Sequence, residues 1–269
     1  MAEDSLEIRV LGPLDVRRGA RPVAPAGVRR RTLLALLLLD AGQVVPVERL
    51  VDGIWGYQPP STALGLVQTY VSLWRRVLGE GAGPDEPERL VREGRGYRLI
   101  VRPHELDVAI ARGLADRGRA ALSARDYVQA ADLLTDALGQ WRGVPLADLA
   151  GEPFHSSAVH ELLGLHRRVL LDWVAALVNC GRGQEAVEPL TSALDADPLQ
   201  EELAEALVRT LCHVGRASEA LEVLDRTRTA LADALGVDPG ERLRALHLQV
   251  LRQDPTLTAP ADSRADVPL

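Results

Sequence analysis

The sequence predicts a mainly α-helical chain in two parts, an α+β module over residues 1–102 and an all-α helical-repeat module over residues 103–253. Three observations carry this division. Strand-like alternation of apolar and polar residues is confined to the first hundred residues. From about His104 to Arg252 the patterning is helical throughout, and within it a 14-residue segment recurs at a spacing of 34 residues. The chain's 269 residues, 46% of them hydrophobic, are enough for two separate cores.

The elements of the first module follow in order. Leu6, Ile8 and Val10 alternate with Glu7 and Arg9, Gly12-Pro13 interrupts, and a turn at Arg18-Gly19 precedes Arg21–Ala24, which together read as a small hairpin or meander. Val28 to Asp40 is a Leu-rich helix stopped at Ala41-Gly42 and central to the core. Pro46 to Trp55 is a short helix, with Pro46 near its first turn. After a loop over Gly56–Pro60, a third helix starts from Ser61 as N-cap and runs to Leu78. A polar stretch from Gly79 to Glu88 leads to a hairpin over Leu90–Ile100 with its tip at Glu93–Gly96. Sheet, three helices and terminal hairpin, in that order, form a winged helix-turn-helix.

Charge divides along the same line. Residues 1–102 hold 15 Arg against 12 acids, whereas residues 103–269 hold 16 Arg against 26 acids. A mildly basic module that suits a polyanion is thus joined to an acidic one. There is no Lys, which excludes a P-loop and Schiff-base chemistry. Two cysteines, Cys180 and Cys212, cannot build a disulfide framework or a four-ligand zinc site, and read as buried thiols in a reducing cytoplasm. The longest apolar run, Leu33–Leu39, is too short to span a bilayer, and the acidic start Met1–Asp4 is unlike a signal peptide, so a cytoplasmic protein without a membrane partner is expected.

In the third helix Val67, Val71, Trp74 and Leu78 recur as one buried stripe. The opposite face presents Gln68, Thr69, Ser72, Arg75 and Arg76, where short polar groups can reach base edges and the two arginines can contact phosphates. The wing carries Arg92, Arg95 and Arg98 as a cluster, with Gly94 and Gly96 allowing the tight turn and Tyr97 packed inward. These eight residues are the candidate DNA-binding set.

Three ordered motifs carry a family resemblance: Leu50-Val51-Asp52-Gly53-Ile54-Trp55-Gly56 with Pro59-Pro60; Val67-Gln68-Thr69-Tyr70-Val71-Ser72 with Arg75-Arg76-Val77-Leu78; and Gly94-Arg95-Gly96-Tyr97-Arg98-Leu99. They resemble the OmpR-type DNA-binding domain, in the version found in the Streptomyces antibiotic regulatory protein family, over residues 6–102. Leu73 departs from the family, which commonly has Arg there; an apolar side chain can touch a thymine methyl or pack on a neighbouring protomer but cannot bond guanine.

In the second module, Leu177–Leu190 aligns with Leu211–Leu224 at seven identical positions of fourteen, with Gly at the turn, then Ala five and Leu nine residues on. That is the pattern of tetratricopeptide-like helical hairpins, with Pro198 closing the first unit. A fainter upstream copy includes Tyr127, Ala130, Leu134 and Ala137. Following an OmpR-type domain, this half resembles the bacterial transcriptional activation domain of the same family, so the resemblance extends to about residue 253. The tail from Asp254 to Leu269 reads as disordered.

Catalysis finds no support. His160-Glu161 lacks the second zincin His, because His166 comes two positions late and faces another direction. Neither a nucleophile elbow nor a Cys/His cluster is present, so no catalytic residue, metal or cofactor is assigned. The resemblance implies a sequence-specific activator that binds directly repeated sites in double-stranded promoter DNA as a dimer and recruits RNA polymerase through its sigma and other subunits, for a secondary-metabolite gene cluster such as one for an antibiotic. The alternative is a ligand- or peptide-sensing helical-repeat adaptor whose winged helix mediates protein contacts.

Overall fold

The computed structural model describes residues 5–79 and 88–257. The expectations for Met1–Asp4 and for most of the polar stretch after Gly79 lie outside the described residues. Among those residues the structure is mainly helical, and it forms two compact units that do not follow the linear division at residue 102. One contains the chain up to Leu114 together with Asp136–His166; the other contains Ala115–Thr135 together with the chain from Arg167.

The first unit begins with an antiparallel sheet of β1 (Leu6–Arg9), β2 (Asp15–Arg18) and β3 (Arg21–Pro22). Leu6, Ile8 and Val16 point inward, as the alternation requires. α1 (Val28–Leu39) buries Leu33 through Leu38 without interruption, which makes it the core helix. β4 (Val44–Pro46), α2 (Val47–Trp55), α3 (Ala63–Gly79), β5 (Leu90–Glu93) and β6 (Gly96–Leu99) follow. The second sheet has the order β4-β6-β5 and is antiparallel. Its β4 escapes sequence reading because it is three residues long and turns only Val45 inward. Gly96 is required there: a Cβ would lie 2.4 Å from the Val45 carbonyl oxygen. Helix α3 starts at Ala63, one residue later than Ser61 as N-cap implies, the first α-helical bond running from Leu66 N–H to the Thr62 carbonyl (3.0 Å).

What lies beyond residue 102 in this unit holds the first sheet. Asp107 opens α4 (Asp107–Ser123) with a buried carboxylate that accepts the backbone N–H of Val10 and Leu11, each at 2.9 Å, and of Val108 at 2.8 Å. Burial pushes its carboxyl above the usual carboxylate range, against the pull of those three donors and of Arg142 at 3.9 Å. The loop between α5 (Tyr127–Leu138) and α6 (His155–Asn179) adds main-chain bonds, Arg142 N–H to Leu11 (2.7 Å) and Leu146 N–H to Gly12 (2.6 Å). Asp148 accepts from Leu14 N–H at 2.6 Å and pairs with Arg31 of α1 at 2.6 Å. His160 is exposed, whereas His166 sits edge-on against Trp141 with ring centroids 5.0 Å apart.

The second unit stacks the 34-residue hairpins. α6 turns into α7 (Gln184–Ala196), and α8 (Glu201–His213) turns into α9 (Ala217–Leu235), with α10 (Glu241–Leu251) beyond. Gly181 and Gly215 take equivalent left-handed conformations, φ 78° and 79°, and the N–H of the following Arg bonds back to Leu177 and Leu211, each at 2.8 Å. The repeated Ala186 and Ala220 are fully buried, as are Leu190 and Leu224 to within 4%. Arg182–Glu185 and Arg216–Glu219 form matching bidentate pairs. The upstream copy obeys the same geometry with Arg125 (φ 61°) in the glycine position and Asp126 N–H bonding back to Ala121. Gly118 lets α4 approach α5, because a Cβ would meet Leu134 at 2.6 Å. The tail expectation needs correction at its start: Pro255–Leu257 form a 3-10 turn with Leu257 buried. The rest of that tail, residues 258–269, lies outside the described residues.

Two stability predictions follow from these contacts. Asp107→Ala strands three buried N–H donors and should cost about 3 kcal/mol or more in urea unfolding, with Asp107→Asn recovering part of the loss through its remaining acceptor. Burial holds His166 below its ordinary 6.5, so its neutral form favours the fold above that value. That contribution is lost as the pH falls through the lower folded value; the difference in stability between wild type and His166→Gln should therefore shrink on acidification below 6.5.

Candidate nucleic-acid interface

Helix α3 is oriented by its buried stripe. Ala63, Val67, Val71, Trp74 and Leu78 face the core, and Trp74 is fully buried with its indole N–H donated to the Arg30 carbonyl of α1 at 2.7 Å. At 100° per residue this orientation sends Gly65, Thr69, Ser72 and Arg76 directly outward. Gln68, Thr69, Ser72 and Arg76 are all exposed. The hydroxyls of Thr69 and Ser72 donate to the Gly65 and Gln68 carbonyls of their own helix, each at 2.9 Å, so what they offer outward is acceptor oxygen. Arg76 makes no hydrogen bond or ion pair among the described residues. Leu73 is half-buried on the Tyr70 side of the helix, not at its outward centre.

The wing arginines divide by strand register. Across β5 and β6, Arg92 pairs with Tyr97 and Val91 with Arg98. Directly opposed residues share a face, so Arg92 lies on the face of Tyr97, and Arg98 lies on the other face with Val91 and Val44. Arg92 and Arg95 line a hollow of about 190 Å³ together with Gln68 and Leu64 of α3, Glu48 of α2 and Tyr97. Both arginines are exposed and unpaired among the described residues. Arg98 instead pairs with Glu93 at 2.9 Å. The single cluster of three expected from the sequence is therefore two groups, because one residue of spacing on a strand reverses the face.

Arg75 also differs from a free phosphate contact. Its Nε donates to the Leu90 carbonyl at 2.8 Å and lies 2.7 Å from Glu88, tying α3 to the start of β5. On the other flank of α3, Tyr70 stacks on Trp55 at the end of α2, with ring centroids 6.4 Å apart and planes 22° apart, and the Arg29 guanidinium lies 5.9 Å from the Trp55 ring centre. Sequence reading passed over this flank, although the run Arg29-Arg30-Arg31 at the start of a helix is a visible signal. Among the described residues no group of three or more His, Cys, Asp or Glu could hold a metal ion, and no helix is long and apolar enough to cross a membrane.

The family model of the bacterial transcriptional activator domain matches residues 106–251, and that of the C-terminal domain of transcriptional regulatory proteins matches residues 25–99. The regulatory protein DnrI of Streptomyces peucetius is 33% identical over 93% of this chain and 93% of its own length. The chain belongs to the Streptomyces antibiotic regulatory protein family. The regulatory protein AfsR of Streptomyces griseus is 36% identical over 97% of the chain, which spans only 26% of AfsR. A solved structure of Mycobacterium tuberculosis EmbR in complex with a low-affinity phosphopeptide superposes with a TM-score of 0.86 at 31% identity, covering 98% of this chain and 70% of that one. The fold of this family member is thus an OmpR-type winged helix followed by a tetratricopeptide-like helical domain, and its relatives are transcriptional regulators.

The anchoring of α3 generates a prediction. Trp74→Phe removes the indole N–H and part of the buried volume, and should lower unfolding stability by about 2 kcal/mol while leaving far-UV circular dichroism native.

Proposed function

We propose that this family member is a sequence-specific DNA-binding transcriptional activator. Helix α3 enters the major groove of promoter DNA, the wing reaches the neighbouring minor groove, and residues 106–251 recruit RNA polymerase. Residues 1–102 are the DNA module and the helical repeats are the activation module, acting in the cytoplasm on a secondary-metabolite gene cluster. The observation that carries the reading is the outward face of α3: exposed polar groups at Gln68, Thr69, Ser72 and Arg76, opposite a buried stripe and beside the unpaired Arg92 and Arg95. A solvated helix face has no need of free guanidinium groups on an adjoining hairpin; a helix between two phosphate strands does.

Roles then follow from geometry. Gln68, Thr69 and Ser72 read base edges, with Gln68 able to bond adenine in two places. Arg76, Arg92 and Arg95 meet phosphate or the minor groove. Arg75 braces the wing against α3 through Leu90, with its Nη groups left for phosphate, and Arg98 contributes from the far face of the wing once it leaves Glu93. Binding to directly repeated sites places two such modules side by side as a dimer on DNA. The repeat module also contains a hollow of about 480 Å³ between α7 and α9, lined by residues including Glu188, Arg216, Glu222 and Arg226, which favours a peptide or small molecule as a modulator of the activator.

A salt-titrated mobility-shift assay with the full chain tests the reading. Arg92→Ala and Arg95→Ala should each weaken binding on every sequence and reduce the salt slope by about one. Gln68→Ala should cost about 1–3 kcal/mol on the preferred site and little elsewhere. A folded full-length protein that retards no promoter DNA would refute the proposal and favour the adaptor; recruitment is read separately, by transcription in vitro with purified polymerase.

A further inference from the structure

A helix lying in the major groove has a phosphate strand on each side of it, because the groove is about 12 Å wide and a helix with its side chains fills about 10–12 Å. On one flank of α3 the wing supplies Arg92 and Arg95, next to Gln68. The other flank is defined by Tyr70, two residues on and therefore about 200° around the helix. There Tyr70 stacks on Trp55, and the Arg29 guanidinium lies 5.9 Å from the centre of the same indole.

We propose that Arg29 is a further phosphate-binding residue, held against Trp55 so that the two flanks of α3 grip both strands bordering the major groove. The inference rests on the DNA-binding reading and extends it to residues of α1 and α2. Three features support it. First, Arg29 is exposed and its guanidinium makes no hydrogen bond or ion pair among the described residues, so its donors are uncommitted. A guanidinium stacked on an aromatic ring keeps its edge donors free for bidentate contact with phosphate and loses little further freedom on binding.

Second, the neighbouring arginines are engaged within the protein. Arg30 donates to the Ala26 carbonyl at 3.2 Å, and Arg31 is held by Asp148 and the Leu14 carbonyl. Third, the charge runs against local helix energetics. The first turn of α1 has no acidic residue and three consecutive arginines at the positive end of the helix dipole, which is unfavourable unless an anion arrives. Arg31 has its carboxylate; Arg29 does not.

The test uses the full chain and two duplexes, one of random sequence and one selected by the protein from a random pool, titrated between about 50 and 200 mM salt. Arg29→Gln should weaken binding to both duplexes roughly tenfold near 0.1 M salt and lower the log–log salt slope by about one. Arg29→Lys, which keeps the charge, should restore the slope. Arg29→Gln combined with Arg95→Gln should lower the slope by about two, and the affinity ratio between the duplexes should stay at the wild-type value. An unchanged slope for Arg29→Gln, with Arg95→Gln lowering it, would overturn this inference and leave the DNA-binding reading intact; Arg29 would then only cover Trp55, which a lowered thermal midpoint would register. A fall in the affinity ratio would also overturn it, by making Arg29 a base reader. Failure of the wild-type chain to bind either duplex would overturn both.

Discussion

The indole of Trp74 has to be dry and hydrogen-bonded at once, and much of the first unit is organised around that requirement. Its ring fills the crossing of α1 and α3, and its N–H finds the Arg30 carbonyl at 2.7 Å. A rotation of α3 by one residue would swing the ring through 100° and expose it, so Trp74 fixes the azimuth together with the rest of the buried stripe. With the azimuth set, Thr69, Ser72 and Arg76 can only face outward, Gln68 can only face the wing, and Tyr70 can only face Trp55. The chemistry on offer to DNA is thus a consequence of packing on the opposite side of the same helix.

The support for that helix comes from a distance along the chain. α1 carries the Trp74 acceptor, and α1 is itself tied to Asp148 through Arg31. The first sheet is tied to Asp107 through the backbone of Val10 and Leu11. A fragment ending near residue 103 would remove Asp107, Arg142 and Asp148 together and leave buried donors unsatisfied. The linear boundary between the two matched families is therefore not a packing boundary, and experiments on DNA binding belong to the full chain.

Local periodicity made the helices, the wing and the 34-residue repeat legible from sequence, because each depends on neighbours within a few residues or on an offset visible by alignment. The stripe Val67, Val71, Trp74 and Leu78 is buried as the spacing requires. β4 was not legible, since three residues carry no measurable alternation. Asp107 was not legible either: its partners are 96 and 97 residues away, and nothing local distinguishes it from an ordinary first-turn acid. In the candidate interface, the outward set on α3 followed from its period, but the separation of Arg92 from Arg98 depends on strand register, and the commitment of Arg75 to Leu90 depends on where β5 begins. The upstream repeat was faint for a nameable reason: Arg125 occupies a left-handed position that its two later copies give to glycine.

The central claim is that α3 lies in the major groove with its wing in the adjacent minor groove. A chemical footprint of the full chain on a duplex it has selected measures this most directly, with guanine N7 methylation reporting the major groove and hydroxyl-radical cleavage reporting the backbone. N7 protection is expected within a half-site, with backbone protection on both strands bordering it and minor-groove protection on the wing side only. For two modules on direct repeats the pattern should recur after about 10–10.5 base pairs or a multiple of that spacing. Backbone protection without N7 protection, or protection confined to the minor groove, would contradict it.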